Sequence, residues 1–314
     1  MKPKVMIITM GLSRIVEPIV NNHQVVGVIE CAPRDGKESK KNIFYKLTKF
    51  LYTKIKSNEK ILKSYVQSRD IPYYYMDSGS DKSLENWVKS IDPDVIIVFS
   101  MSQLLKENIF KIPKYGTINL HPALLPSYRG PFPNFWVYFN MDRKSGVTVH
   151  YIDSGEDSGD IIYQESYEIP LGMKSPVMLD HAIGTLGVNL LLKVLDNIEE
   201  LPREVQPSNS PTLRARNIKD EEHKNLIEWK NWKIERIWHL LRGTELWLNS
   251  IPSPRGIYRG QRWSVEQFEK CDTSRYKVSQ LYKEDGQNFV VCNDGKIYLD
   301  LNFSFKKFIL NIVR

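Results

Sequence analysis

Cysteine is scarce, with Cys31, Cys271 and Cys292 the only three in 314 residues. They are far apart and show no Cys-x-x-Cys spacing, which argues against a zinc ribbon or a disulfide framework and makes a reducing cytoplasm the expected compartment. Also missing is a Gly-x-Gly-x-x-Gly fingerprint: Met10-Gly-Leu-Ser13 follows the first strand-like run, so no nicotinamide cofactor is expected. The apolar opening Met1–Met10 is short and reads as a buried first strand rather than a signal peptide, and no transmembrane segment is expected.

The length suits one to two domains with a sizeable core. The formal charge of +7 is moderate and concentrates in Lys37–Lys63, where lysines are many and acids few. Phe44, Leu47, Leu51 and Ile55 recur there at helical spacing, so the lysines are first read as the solvated side of an amphipathic helix. Nucleic acid, nucleotide phosphates or an anionic membrane surface are the alternative partners for them.

Strand-like runs at Lys4–Thr9, Gln24–Glu30 and Ile71–Tyr75 precede a helical stretch at Ser83–Ser90 and a nearly continuous apolar run at Asp94–Ser100. The last has the character of a central parallel strand buried on both faces. The alternation predicts an α/β fold built on a doubly wound, mainly parallel sheet. Ser175-Pro176 reads as an N-cap with proline at the first helical position, opening a helix to about Asn197. The polar, proline-bearing passage Glu199–Pro211 then marks a boundary between residues 1–205, a catalytic domain, and 206–314, a smaller, mostly β domain. In the latter, a helix is expected at Lys233–Leu241, and Gln287–Cys292 with Ile297–Asp300 flank Asn293-Asp-Gly-Lys296 as a hairpin.

The densest chemistry lies between Gly116 and Asp160. In Gly116-Thr-Ile-Asn-Leu-His121 a strand projects Asn119 and His121 to one face. Pro122 and the turn-rich Ala123–Pro131 then end the strand, placing an amide and an imidazole at a loop edge of the kind where open α/β sheets keep their chemistry. A second strand, Gly146-Val-Thr-Val-His-Tyr-Ile152, runs into the acidic loop Asp153-Ser-Gly-Glu-Asp-Ser-Gly-Asp160. Taken singly, the histidine also fits a hydrogen-bonded structural residue and the loop a solvated turn or weak calcium site.

Taken together, Asn-x-His-Pro, Leu-Leu-Pro-x-Tyr-Arg-Gly, Gly-Val-Thr-Val-His and Asp-Ser-Gly-Asp-Ile resemble the N10-formyltetrahydrofolate-dependent formyltransferases. The resemblance implies a Rossmann-like formyltransferase fold, a cytoplasmic enzyme, a folate co-substrate and no metal. It implies a catalytic triad of Asn119, His121 and Asp157. Asn119 would donate to the oxyanion, His121 would handle the amine proton, and Asp157 would orient His121 and stabilise its cationic form. It places Met101 and Leu104 beside the folate, opposite the loop bearing Asp153, Gly155 and Asp160, and it implies a cis peptide before Pro126.

The family also implies that Ile227-Glu-Trp-Lys and Ile234–Gly243 open a C-terminal domain with a small open barrel, although its Pro-Trp-Pro-Gly-like step is here Leu246-Trp-Leu-Asn249. For the acceptor, Gly130-Pro-Phe-Pro-Asn-Phe-Trp-Val-Tyr138 departs from the small residues of the tRNA enzymes and is similar to sugar formyltransferases. Tyr128, Arg129, Phe132 and Trp136 are accordingly expected at a nucleotide-linked amino sugar, for surface polysaccharide (lipopolysaccharide or O-antigen) biosynthesis, although Arg129 equally fits a loop pin. Methionyl-tRNA is the alternative acceptor, and a non-catalytic folate or nucleotide binding module the distant one. A two-fold homodimer is the default assembly.

Overall fold

Strand β1 (Lys4–Thr9) is the centre of the fold: Val5, Met6, Ile7 and Ile8 are all fully buried, so both of its faces are covered. Burial of each such side chain stabilises by about 1.5–3 kcal/mol, which is why a continuous apolar run settles in mid-sheet. The structure is a computed structural model and describes residues 2–32, 61–77, 82–101, 103–245, 247–305 and 308. Residues 37–60 of the expected lysine-rich helix, including Phe44, Leu47, Leu51 and Ile55, lie outside the described residues.

β2 (Gln24–Cys31) follows helix α1 (Val16–Asn22) and pairs in parallel with one side of β1, while β4 (Val95–Phe99) pairs in parallel with the other. β3 (Tyr73–Met76) extends the sheet beyond β2, and β5 (Thr117–His121) extends it beyond β4, both in parallel. β6 (Lys144–Tyr151) then pairs antiparallel with β5, and β7 (Ile161–Glu168) completes the order β3-β2-β1-β4-β5-β6-β7. The chain therefore reverses its direction of travel between β1 and β4, which opens a crevice at their carboxyl ends. Helices α2 (Leu62–Gln67), α3 (Lys82–Ile91) and α4 (Glu107–Phe110) alternate with these strands. On one face of the sheet, Met6, Ile8, Ile29, Ile96 and Val98 pack with Leu84 and Val88 of α3 and Ile109 and Phe110 of α4.

One helix differs from its sequence reading. The run beginning at Ser175 is expected to be regular to about Asn197, but α6 (Ser175–His181) and α7 (Val188–Asp196) flank a π-helical turn at Ala182–Gly187. Gly184 and Gly187 lie in that turn, and glycine lowers the cost of leaving regular α geometry. By length and composition Ser175–Asp196 is apolar enough to cross a membrane. Val188, Leu190, Leu191, Val194 and Leu195, which supply much of that character, are buried in the protein.

A separate antiparallel sheet has the order β8-β11-β10-β9, from β8 (Arg262–Lys270), β9 (Leu281–Glu284), β10 (Gln287–Cys292) and β11 (Gly295–Asn302). The Asn293–Asp294 turn joins β10 to β11, and α8 (Ile234–Thr244) packs on this sheet. Contacts divide the chain into two compact units of three segments each. The first is Met1–Arg129, Gly146–Glu165 and Ile183–Pro211; the second is Gly130–Ser145, Ser166–Ala182 and Thr212–Arg314. The turn from Pro211 to Thr212 lies six residues past the sequence boundary at 205/206, and helix α5 (Pro133–Phe139) groups with the later residues.

Candidate active site

Antiparallel pairing sets the floor of the site. Asn119 stands opposite His150, and His121 opposite Thr148. Directly opposed residues project to the same face, so β5 and β6 together present Asn, His, Thr and His as a two-by-two patch. Thr148 is fully buried and fastens the loop after β5: its Oγ1 donates to the Ala123 carbonyl at 2.6 Å and accepts from the Leu125 amide at 3.1 Å and Gln164 Nε2 at 2.8 Å. The Leu125–Pro126 peptide is cis.

His121 is 3% exposed, and its Nε2 lies 3.0 Å from the Tyr128 carbonyl. A carbonyl only accepts, so Nε2 carries the proton and Nδ1 is the basic nitrogen of the neutral ring. Tyr128 takes a left-handed φ of 58°, which turns its carbonyl to that task. His150 is held the other way round. Its Nδ1 donates to the Tyr151 carbonyl at 2.8 Å, leaving Nε2 to accept from Asn119 Nδ2 at 3.1 Å.

Asp157 enters between these groups from the loop after β6. Its Oδ2 is 3.5 Å from His121 Nδ1, and its Oδ1 is 3.5 Å from His150 Nε2 and 3.4 Å from Asn119 Nδ2. These separations mark electrostatic contact rather than tight hydrogen bonds, and catalytic contacts of this kind shorten as substrates enter. Burial pushes the His121 imidazole below its ordinary value, with the Asp157 carboxylate opposing that shift and His150 adding to it. The three expected catalytic side chains are thus brought together, with a neutral base in their midst.

The residues expected around the folate fare differently. Leu104, in the segment after β4, is 64% exposed and Met10, just after β1, is 43% exposed, so both present apolar surface of the kind a flat heteroaromatic ring can use. Met101 packs partly buried against the core. Asp153, by contrast, turns its carboxylate onto its own loop, accepting from the Gly155 amide at 2.9 Å and Ser158 Oγ at 2.8 Å. A Cβ on Gly155 would stand 2.1 Å from Ser158 Oγ, so a side chain there would turn the Ser158 hydroxyl away from its place on Asp153. Asp160 accepts the Tyr151 amide through its carbonyl at 2.9 Å, and its carboxylate is 4.0 Å from Arg203. These three build the loop that presents Asp157. Among the described residues no group of three or more His, Cys, Asp or Glu is placed to hold a metal ion.

The expected acceptor contacts fall in both compact units. Arg129 is occupied as a loop pin: Nε and Nη2 donate to Gln206 Oε1, Nη2 also to the Pro207 carbonyl, and Nη1 to the Ser208 carbonyl. Phe132 and Trp136 belong to the second compact unit, in an aromatic cluster. Phe132 lies 4.7 Å and Phe135 5.4 Å from Trp247, centroid to centroid, and Trp136 Nε1 donates to the Arg216 carbonyl at 2.9 Å. The two departures from the family pattern, bulky residues after Gly130 and the altered step around Trp247, therefore pack against each other. That removes the need for a sugar to explain the aromatics.

A family model described as Formyl transferase matches residues 22–195. A methionyl-tRNA formyltransferase of Alkaliphilus oremlandii (strain OhILAs) is 30% identical over 256 residues, 80% of this chain and 80% of that one. The chain belongs to the formyl transferase family. This N-formyltransferase is also 38% identical over 147 residues to a methionyl-tRNA formyltransferase of Clostridioides difficile (strain 630), covering 46% of this chain and 47% of that one. The fold matches the crystal structure of WlaRD, a sugar 3N-formyl transferase in the presence of dTDP and 5-N-formyl-THF, with a TM-score of 0.63, 16% identity and coverage of 97% of this chain and 100% of that one. At that identity the match speaks for the fold. The names of the sequence relatives overturn the nucleotide-linked amino sugar, and surface polysaccharide synthesis with it, as the first reading of the acceptor.

Two residues of the site escaped the sequence reading. His150 was signalled by the Gly-Val-Thr-Val-His run and by its place opposite Asn119. Gln206 lies beside the expected domain boundary, in a passage whose composition reads as a linker, and it carries no local signal.

Proposed function

We propose that this N-formyltransferase transfers the formyl group of N10-formyltetrahydrofolate to the amine of methionyl-tRNA, with Asn119, His121 and Asp157 as its catalytic residues. N10-formyltetrahydrofolate supplies an activated formyl group as co-substrate. The exposed Met10 and Leu104 side chains, which follow β1 and β4, offer apolar surface that suits its pterin. The observation that carries the reading is the convergence of an amide donor, a neutral imidazole and a carboxylate within 3.5 Å contacts, in a chain whose sequence relatives are named for methionyl-tRNA.

The attacking amine forms a C–N bond to the formyl carbon, and the bond from that carbon to N10 breaks. Charge builds in opposite senses on the two sides of the reacting centre. Asn119 answers the growing negative charge: one amide hydrogen is held by His150, and the other, held only loosely by Asp157, can turn to the formyl oxygen. His121 takes the amine proton at Nδ1 and returns it to the departing N10, so no net proton is lost. Asp157, 3.5 Å from Nδ1, stabilises the imidazolium in between.

Purified protein should be offered the formyl donor with methionyl-tRNA and, in parallel, with nucleotide-linked amino sugars. Formylmethionyl-tRNA together with release of tetrahydrofolate is the expected outcome. Product from a sugar alone, with no reaction of methionyl-tRNA, would sink the proposal.

A further inference from the structure

Asp157 holds a backbone φ of 52°, a left-handed value that a non-glycine residue rarely adopts without support. The support is visible on two sides of its loop. From within, the Asp153 carboxylate binds the Gly155 amide and the Ser158 hydroxyl. From outside, Gln206 donates through Nε2 to the Asp157 carbonyl at 3.1 Å and to the Gly159 carbonyl at 2.6 Å. Gln206 is 8% exposed, and its other end is equally committed: Oε1 accepts from Arg129 Nη2 at 2.9 Å and Nε at 3.3 Å. Arg129 is in turn next to Tyr128, whose carbonyl fixes the tautomer of His121. A single amide side chain therefore spans the loop that delivers the carboxylate and the loop that orients the base, with its donors and its acceptor all engaged.

We infer that Gln206 is a positioning residue for formyl transfer, locking the Asp157 loop and the Tyr128–Arg129 loop into one register so that the carboxylate and the His121 ring meet. This rests on the catalytic reading of Asp157. The lock is chemically directional. An amide is the side chain that offers two N–H donors to a pair of carbonyls and an oxygen to a guanidinium. A carboxylate of the same size keeps the second contact and forfeits the first, setting its oxygen against two carbonyl oxygens. The contacts at stake are 3.4–3.5 Å apart, so a small retreat of the loop separates them further.

The test compares Gln206→Glu, Gln206→Met and Asp157→Asn in the methionyl-tRNA formylation assay, each checked for folding by circular dichroism. Gln206→Glu retains size and the Arg129 contact, which keeps a folded protein available if Gln206→Met does not fold. Displacement of a catalytic group by about an ångström costs up to roughly a hundredfold, so kcat should fall between about tenfold and a hundredfold in the Gln206 variants, with both KM values little changed. The pH profile adds a readout that mere loss of stability does not move. Among the groups acting on His121, the Asp157 and Glu156 carboxylates and the Tyr128 carbonyl raise its pKa, while His150 lowers it. A retreating Asp157 should therefore shift the acid limb of kcat to lower pH in Gln206→Met, which brings no carboxylate of its own to the site. Undiminished kcat in a folded Gln206 variant, or a lower kcat with an unmoved limb in Gln206→Met, while Asp157→Asn is impaired, overturns the inference and leaves the site standing. Full turnover in Asp157→Asn overturns the catalytic reading itself, and the inference with it.

Discussion

Burial holds the His121 imidazole below its ordinary value, and in the proposed mechanism it becomes cationic only as it takes the amine proton, 3.5 Å from the Asp157 carboxylate. Removing a group that acts mainly in the transition state lowers turnover without unfolding the protein, so Asn119→Ala and His121→Ala should each reduce kcat by about a hundredfold or more. Steady-state kinetics on variants with a native circular dichroism spectrum check this, and unchanged kcat in either variant refutes its role. The pH dependence follows from the lowered His121 value. With a folded value below the free-imidazole value of about 6.5, the unfolded chain takes up a proton first, so this group's contribution to stability is complete above about pH 6.5 and is lost as pH falls through the folded value. By the same shift the base stays deprotonated at mildly acidic pH. The acid limb of kcat/KM should lie below about 6.5, and a limb above it would assign the base to another group.

Loop elements carry as much of the site as the strands do. Gly159 is an example: a Cβ there would stand 2.0 Å from the Tyr151 carbonyl oxygen, a backbone atom that cannot rotate away. Gly159→Ala should therefore displace the loop, lowering both the melting temperature and kcat, and wild-type values of both would show that the loop has room. The Asn119–His121 pair was legible in the sequence because side-chain alternation is a local rule and Pro122 ends β5, whereas the placing of His150 and Thr148 opposite them depends on a strand pairing that no local pattern sets. Gln206 was not legible, because its partners Arg129 and Asp157 are 77 and 49 residues away and nothing local marks a polar linker residue as buried. The aromatic run misled for the same reason. Phe132 reads as a ligand contact until Trp247 appears 4.7 Å from it. That pairing has its own test: in a double-mutant cycle, Phe132→Ala and Trp247→Ala should couple by about 0.5–1.5 kcal/mol in unfolding free energy, and strict additivity would show that the rings do not support each other.

Across the whole molecule the charge is distributed in a way that bears on the acceptor. Lys37–Lys63 holds nine lysines and two acids, a surplus equal to the net +7 of the entire chain, so the remainder is neutral on balance. A surplus gathered in one stretch acts on a polyanion in a way that a scattered one does not, because each phosphate neutralised releases counterions and adds to the salt dependence. For a duplex acceptor stem, three such contacts would give a log–log slope of about −2.7, so that doubling the salt weakens binding about sixfold. Under the proposed mechanism catalysis is insulated from this effect, since the chemistry is assigned to Asn119, His121 and Asp157 rather than to the phosphate contacts. With methionyl-tRNA as acceptor, KM should therefore rise steeply with salt while kcat changes little, and replacing Lys46, Lys49, Lys54 and Lys56 by Gln should both raise KM and flatten the slope. A KM for methionyl-tRNA that ignores salt, or one indifferent to those four substitutions, would show that recognition does not run through this basic stretch.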